Sequence, residues 1–230
     1  CNSYTRLHEP LGFDYPVIKE KQIVGGGLRN VLCPVCKSSD RIRLLDLFIR
    51  KNTNALQEKI KLLHVAPEPS LRKLLLKNEK LDYLSADLKP KVMIHMDITD
   101  IQFEDNWFDA VICNHVLEHI MDDRKAMSEL FRVLKPGGWA ILQVPISKTL
   151  ETTYEDASIV TKKDREAHFG QKDHVRIYGK DYTHRLTNTG FNVQEYSWPD
   201  DPEIKKDPKL NLNPDETVFY CVKPANSVRL

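Results

Sequence analysis

The segment FDAVICNHV, residues 108–116, is apolar at nearly every position. A strand with one wet face alternates apolar and polar residues. An almost unbroken apolar run belongs to a strand covered on both sides, as in the middle of a parallel sheet. Its neighbours agree. KLLHVA (61–66), LDYLSADL (81–88), KVMIHMDI (91–98) and WAILQVPI (139–146) read as strands. SLRKLLLKN (70–78) and DDRKAMSELFRVL (122–134) read as helices, the second with an apolar stripe of Ala126, Met127, Leu130, Phe131 and Leu134. The following KPGG is expected to stop that helix with glycine. Strands alternating with helices predict an α/β fold, a doubly wound and mostly parallel sheet with helices on both faces.

The flanks read differently. Residues 1–37 are irregular and hold prolines, the triple glycine Gly25–Gly27 and the cysteine pair of CPVCKSSDR. They are taken as a cysteine-bearing N-terminal module, and 38–230 as the main domain. The triple glycine precedes no obvious helix and is not read as a phosphate loop. DRIRLLDLFIRK (40–51) has Ile42, Leu45, Phe48 and Ile49 at helical spacing, with Ser38, Ser39 or Asp40 as its cap. Residues 147–178 are polar and without clear periodicity, which predicts a lid or binding loop. GKDYTHRLTNTG reads as a helix ending at Gly190, FNVQEYSW and TVFYCVKP as late strands, and PDDPEIKKDPKLNLNPDE as a surface loop.

A net charge of +1 gives no reason to expect a nucleic-acid or membrane partner. With 41% hydrophobic and 29% charged residues and only strand-sized apolar runs, the chain reads as soluble and cytoplasmic. No signal peptide is recognisable. The chain begins with Cys1 rather than Met, so the true N-terminus, with any targeting segment, can lie upstream. Of the five cysteines, only Cys33 and Cys36 have metal-ligand spacing. They are either half of a zinc ribbon, with Cys1 and a partner cysteine expected upstream of it as the other half, or a plain turn with two reduced thiols. Cys113 and Cys221 lie in apolar strands and are expected to be buried. This usage fits a reducing compartment.

The stretch FDAVICNHVLEHIMDDRKAMSELFRVLKPGGWAILQVP closely resembles the class I S-adenosylmethionine-dependent methyltransferases, methyltransferase type 11 in particular. The resemblance covers residues 60–146 well and 180–223 weakly. It implies a Rossmann-like sheet with a late antiparallel strand, S-adenosylmethionine as cofactor, and a ligand lying across the carboxyl ends of the strands. It also implies roles for positions. Asp87, at the end of the second strand, would accept hydrogen bonds from both ribose hydroxyls. Asp97 would lie near the adenine amino group, with Ile98 on the ring. Asn114 and His115 would lie beside the methionine part of the cofactor.

The first strand ends in HVAPEPS, where this family usually has glycines. Ala66, Pro67 and Glu68 stand there, and His64 replaces the upstream acid. Glu68 could pair with the cofactor ammonium, and the four residues are kept as cofactor-binding candidates. HVLEH places His115, Glu118 and His119 together, either to brace the next helix or to hold a divalent metal. His115, His119 and His174 are the candidate bases, with His115 and His174 taken as catalytic. Tyr154, Arg176 and Tyr178 are candidate substrate residues, with His174, Arg176 and Tyr178 expected on one face of an extended segment. The expected reaction is methyl transfer to an oxygen or nitrogen of a small-molecule or sugar-like acceptor. The rival readings are a non-catalytic binding protein that has lost the cofactor, and a methyltransferase acting on a macromolecule, protein or RNA.

Overall fold

Apolar runs and amphipathic helices sort into three layers in the computed structural model, which describes residues 7–225 apart from 91 and 206. The strands of the central sheet are β1 (Ile60–Val65), β2 (Leu81–Asp87), β3 (Ile94–His95), β4 (Phe108–Asn114), β5 (Leu134–Gln143), β6 (Asn192–Ser197) and β7 (Thr217–Val222). Their order is β6-β7-β5-β4-β1-β2-β3. β1 runs parallel to β2 and β4, and β4 to β5, while β7 is antiparallel to both β5 and β6. The doubly wound, mostly parallel fold expected from the sequence is the one observed. KVMIHMDI, expected as a full strand, contributes only the two-residue edge strand β3.

Successive side chains of a strand point to opposite faces. Val111 and Cys113 of β4 therefore join Leu63, Val65 and Leu142 on one face, and Ala110 and Ile112 join Leu62 and Ile141 on the other. Helices α1 (Asp40–Asn52) and α2 (Pro69–Leu75) cover the second face. Helices α3 (Asp123–Val133) and α5 (Tyr182–Thr189) cover the first. Each large apolar side chain fully buried here contributes about 1.5–3 kcal/mol. Ser39 caps α1 by accepting from the Ile42 N–H, and Asp122 caps α3 by accepting from Lys125. Cys113 and Cys221 are buried as expected, and burial pushes both thiols up.

Glycine does not end α3. Leu134 is already extended (φ −79°, ψ 135°), and Pro136 disfavours helix in the residue before it. The glycines serve the turn beyond. Gly137 is left-handed, and a Cβ on Gly138 would stand 2.8 Å from the Asp109 carbonyl oxygen.

The N-terminal residues are bound tightly to this sheet domain. Glu9–Leu11 pairs with Arg29–Leu32, and Ile23–Val24 pairs with Ile146–Ser147, just after β5. A short helix, Pro16–Glu20, packs through Val17 against Phe169 of α4 (Lys162–Phe169) and against Ile177. Residues 147–178 are therefore not structureless. They hold α4, capped by Thr161 and by left-handed Gly170, and a strand pair of Tyr154–Glu155 with Arg176–Ile177. No helix among the described residues is long and apolar enough to cross a membrane.

Candidate active site

The parallel strands end along one edge of the sheet, and two of the ends are strained. Ala66, directly after β1, has φ 44°, and His115, directly after β4, has φ 54°. Left-handed backbone at a residue with a Cβ costs roughly 1–2 kcal/mol. The β1 turn thus adopts at Ala66 the conformation a glycine would supply. The Ala66 N–H donates to Ala86 and the His115 N–H to Gln143, at 2.8 and 2.7 Å, so both turns are fixed by neighbouring strands.

The expected cofactor residues fall into two groups. Asp87 is half-buried at the end of β2, with Oδ1 accepting from the Lys89 N–H. Asp97 is exposed and accepts from Thr99, while Ile98 is buried in the core. Asn114 ends β4 and is 3% exposed, yet neither its amide oxygen nor its amide nitrogen has a partner. Buried polar atoms without partners are rare, and a bound ligand is one physical reason for them. His64 and Glu68 are engaged with each other. His64 is fully buried, with Nδ1 2.9 Å from the Tyr83 hydroxyl and Nε2 3.1 Å from Glu68 Oε2. The carboxylate expected to be available for an ammonium therefore has one oxygen committed to His64.

Beyond β4 opens a cavity of about 350 Å³. Its floor is His115, Glu118, His119 and His174, and its roof is Gly25–Gly27. A Cβ on left-handed Gly25 would stand 3.4 Å from both His115 Cε1 and Glu216 Oε1, so the triple glycine allows the N-terminal segment to lie close over the floor. Arg41 reaches in from the first turn of α1, donates to the Gly25 carbonyl, and has Nη1 2.8 Å from His115 Nε2. Arg29 donates to the Gly26 carbonyl and to Asp40, 3.0 Å away.

Burial sets the charge states. Desolvation, then Arg41 and the neighbouring histidines, hold His115 well below the ordinary imidazole value. His119 is lowered by burial, and His174 falls to about 4 through burial and His119. Burial pushes Glu118 up to about 8 and Glu216 up to about 7, against the pull of Arg41. Each glutamate keeps one buried oxygen without a partner. At neutral pH the floor therefore offers neutral imidazoles that can accept protons only weakly.

Of the three residues expected on one face of an extended segment, Arg176 and Tyr178 meet, with the guanidinium 5.7 Å from the Tyr178 ring and both side chains reaching Asp123. His174 and Arg176 line the cavity, but Tyr178 is fully buried and donates to Asp123 at 2.7 Å. Only Arg176 and Ile177 are strand, and Tyr178 turns into the core against Tyr182. Arg176 is 3% exposed, and its guanidinium donates to the carbonyls of Leu117, Ile120 and Met121 and to Glu155. It braces the turn after β4. Tyr154 lies away from the cavity floor, with its hydroxyl 2.9 Å from His168 Nδ1.

Sequence reading passed over Gly25–Gly27, Arg29, Arg41 and Glu216. Three glycines followed closely by an arginine were the available signal, and they point to no site until the fold closes over β4. Cys33 and Cys36 form a tight turn, with the Lys37 N–H donating to the Cys33 carbonyl and Cys36 Sγ 3.2 Å from Ser38 Oγ. Cys36 is lowered to about 7: burial would raise it, but hydrogen bonds to Ser38 outweigh that. Cys1 lies outside the described residues. Among the described residues no third ligand joins this pair.

Residues 53–142, under half of the chain, match the family described as a methyltransferase domain. The fold is that of the class I methyltransferases. The methyltransferase match extends to curated and solved proteins. The demethylmenaquinone methyltransferase of Clavibacter sepedonicus is 45% identical over 49 residues, covering 21% of this chain and 20% of the relative. The curated relatives it matches first are thus spanned over only about a quarter of their length or less. Phosphoethanolamine N-methyltransferase 2 of Haemonchus contortus, solved with S-adenosyl-L-methionine, superposes with a TM-score of 0.52 at 17% identity, over 78% of this chain and 52% of its own. A chain of the complex between the Haloferax volcanii Trm112 methyltransferase activator and a methyltransferase superposes at 0.51 with 14% identity, over 80% and 94%. At these identities the superpositions establish the fold.

Proposed function

We propose that this chain is an S-adenosylmethionine-dependent methyltransferase acting on a polar small molecule held in the cavity beyond β4. The observation that carries the reading is Asn114. Its amide is buried and unpartnered at the end of β4, and the next residue, His115, forms the cavity floor. A ligand along the strand ends would satisfy that amide and present its reactive end to the cavity. Asp87 would accept from the ribose hydroxyls, Asp97 would lie on the adenine side, and the left-handed turn at Ala66 would lie against the ligand. The cofactor would supply an electrophilic methyl group.

The chain's own residues then position the acceptor. The roof of Gly25–Gly27 excludes water, and positioning alone supplies much of the rate in an in-line displacement. His115, neutral and 2.8 Å from Arg41, orients the acceptor rather than acting as a strong base. The polar floor favours an oxygen or nitrogen acceptor. The quinone methyltransferases among the relatives suggest a small molecule too. A structural zinc at Cys33 and Cys36, held together with Cys1 and one further cysteine, is a separate part of the proposal. Elemental analysis should then find about one zinc bound by this cysteine set per chain.

The test is calorimetric. S-adenosylhomocysteine should bind one per chain. Asp87→Ala should weaken it by about 1.5–3 kcal/mol, the scale of a lost charged hydrogen-bonding partner. Unchanged affinity in a folded Asp87→Ala chain removes that residue from the site.

A further inference from the structure

Glu118, His119 and His174 converge at the floor of the cavity. Glu118 and His119 come from the short helical turn Leu117–His119 after β4, and His174 from the segment that follows α4. One ligand atom from each lies within 4.8 Å of the others. Two features aim this group at a ligand. Glu118 is 2% exposed, and its Oε2 has no partner. The His119 ring is tied back by its other side. His119 Nδ1 is 3.2 Å from the Asp173 carbonyl oxygen, with the Asp173 carboxylate at 3.6 Å, which leaves Nε2 with its lone pair. Imidazoles fixed by carbonyls or carboxylates behind them are the usual support of metal ligands. The two rings are nearly perpendicular, with centroids 4.7 Å apart. The two segments are also fastened together. The Val175 N–H donates to the Glu118 carbonyl, and Arg176 clips the carbonyls of Leu117, Ile120 and Met121.

We propose that Glu118, His119 and His174 bind a first-row divalent cation, and that the methyl acceptor is a molecule whose oxygen enters that ion's open coordination positions. The second clause rests on the function proposed above, and the first does not. One carboxylate and two imidazoles suit borderline ions such as manganese, iron, cobalt or zinc better than magnesium or calcium, which prefer all-oxygen sets. Ligands about 2.1 Å from a common ion lie about 3.4 Å apart in tetrahedral geometry. The atoms present here therefore need only small inward rotations. Three protein ligands leave positions open toward the cavity, on the side where His115 and Arg41 stand.

The experiment titrates cobalt(II) into the full chain, read by visible absorption and calorimetry, with melting curves for every variant. In the chain carrying Cys33→Ser and Cys36→Ser, which removes the separately proposed cysteine site, one ion should bind, with ligand-field bands and no thiolate charge-transfer band. His119→Ala, chosen because the His119 side chain is 27% exposed, should weaken binding by about 100-fold or more at an unchanged melt. His174→Ala should do the same, and Cys33→Ser with Cys36→Ser should not. Absence of cobalt uptake, uptake indifferent to a folded His119→Ala or His174→Ala chain, or uptake lost only with the cysteines would overturn the site. Titrating S-adenosylhomocysteine into the metal-free chain separates the two ideas. Binding there without cobalt uptake leaves the methyltransferase reading standing alone, and cobalt uptake without it leaves the metal site alone.

Discussion

The strand ends of β1 and β2 and the cavity beyond β4 share one sheet edge but are assembled in opposite ways. Ala66 and Asp87 end neighbouring parallel strands paired residue by residue, His64 with Ser85 and Val65 with Ala86. Their positions follow from local pattern and strand register. The cavity gathers Gly25, Arg41, Glu118 and His174 from four separate stretches of chain. The first region depends on backbone geometry and on half-buried or exposed carboxylates. The second depends on buried groups held by a few long-range hydrogen bonds. The two should therefore fail differently when perturbed, with the cavity half losing stability and the strand-end half losing ligand.

The largest effect is expected at Arg176, whose guanidinium joins the turn after β4 to the Tyr154–Glu155 strand pair. Arg176→Ala strands the carbonyls of Leu117, Ile120 and Met121, while Asp123 keeps Arg185 and Tyr178, and should cost about 3–5 kcal/mol in urea unfolding. A loss under about 1 kcal/mol with abolished turnover would return Arg176 to the acceptor and break the contrast.

Glu216 should show the next effect through pH. Its folded carboxyl is raised from 4.5 to about 7, chiefly by burial. The folded state then holds a proton that the unfolded state has released. The associated stability is complete below about pH 4.5 and lost as pH rises toward 7. Glu216→Gln lacks this loss. Its stability relative to the parent chain should improve between pH 4.5 and 7.5 by up to about 3 kcal/mol. A difference that does not change with pH would mean that Glu216 is already charged in the fold.

These contrasts also explain what the sequence made legible. The apolar run at Phe108–Asn114 and the stripe of α3 identify a covered parallel sheet, because periodicity is a local property. Asp87 and Asn114 could be marked because a strand's carboxyl end is readable once the strand is. Arg176 and Tyr178 could not be placed. Alternation does put them on one side, but what that side meets, Asp123 and the turn after β4, is set by the fold. The role of Gly25–Gly27 was hidden because it depends on the pairing of Ile23–Val24 with Ile146–Ser147, more than half the chain away.

A smaller effect belongs to the strand-end half. Ala66 holds φ 44° without being glycine. Ala66→Gly removes that strain but adds freedom to the unfolded chain, so a net gain of up to about 1 kcal/mol is expected in the melting curve. A clear loss would mean that the Ala66 methyl, which packs against the core, outweighs the strain.

The central claim is that the strand ends still hold the cofactor although the β1 turn has no glycine. Titration of S-adenosylhomocysteine into the full chain, alongside Asn114→Leu and Asp87→Ala, tests it directly. Saturable one-to-one binding is predicted, weakened by either substitution in chains that melt as the parent does. Absence of binding to the parent chain, or binding that ignores both substitutions, would contradict it and leave a methyltransferase fold that serves another ligand.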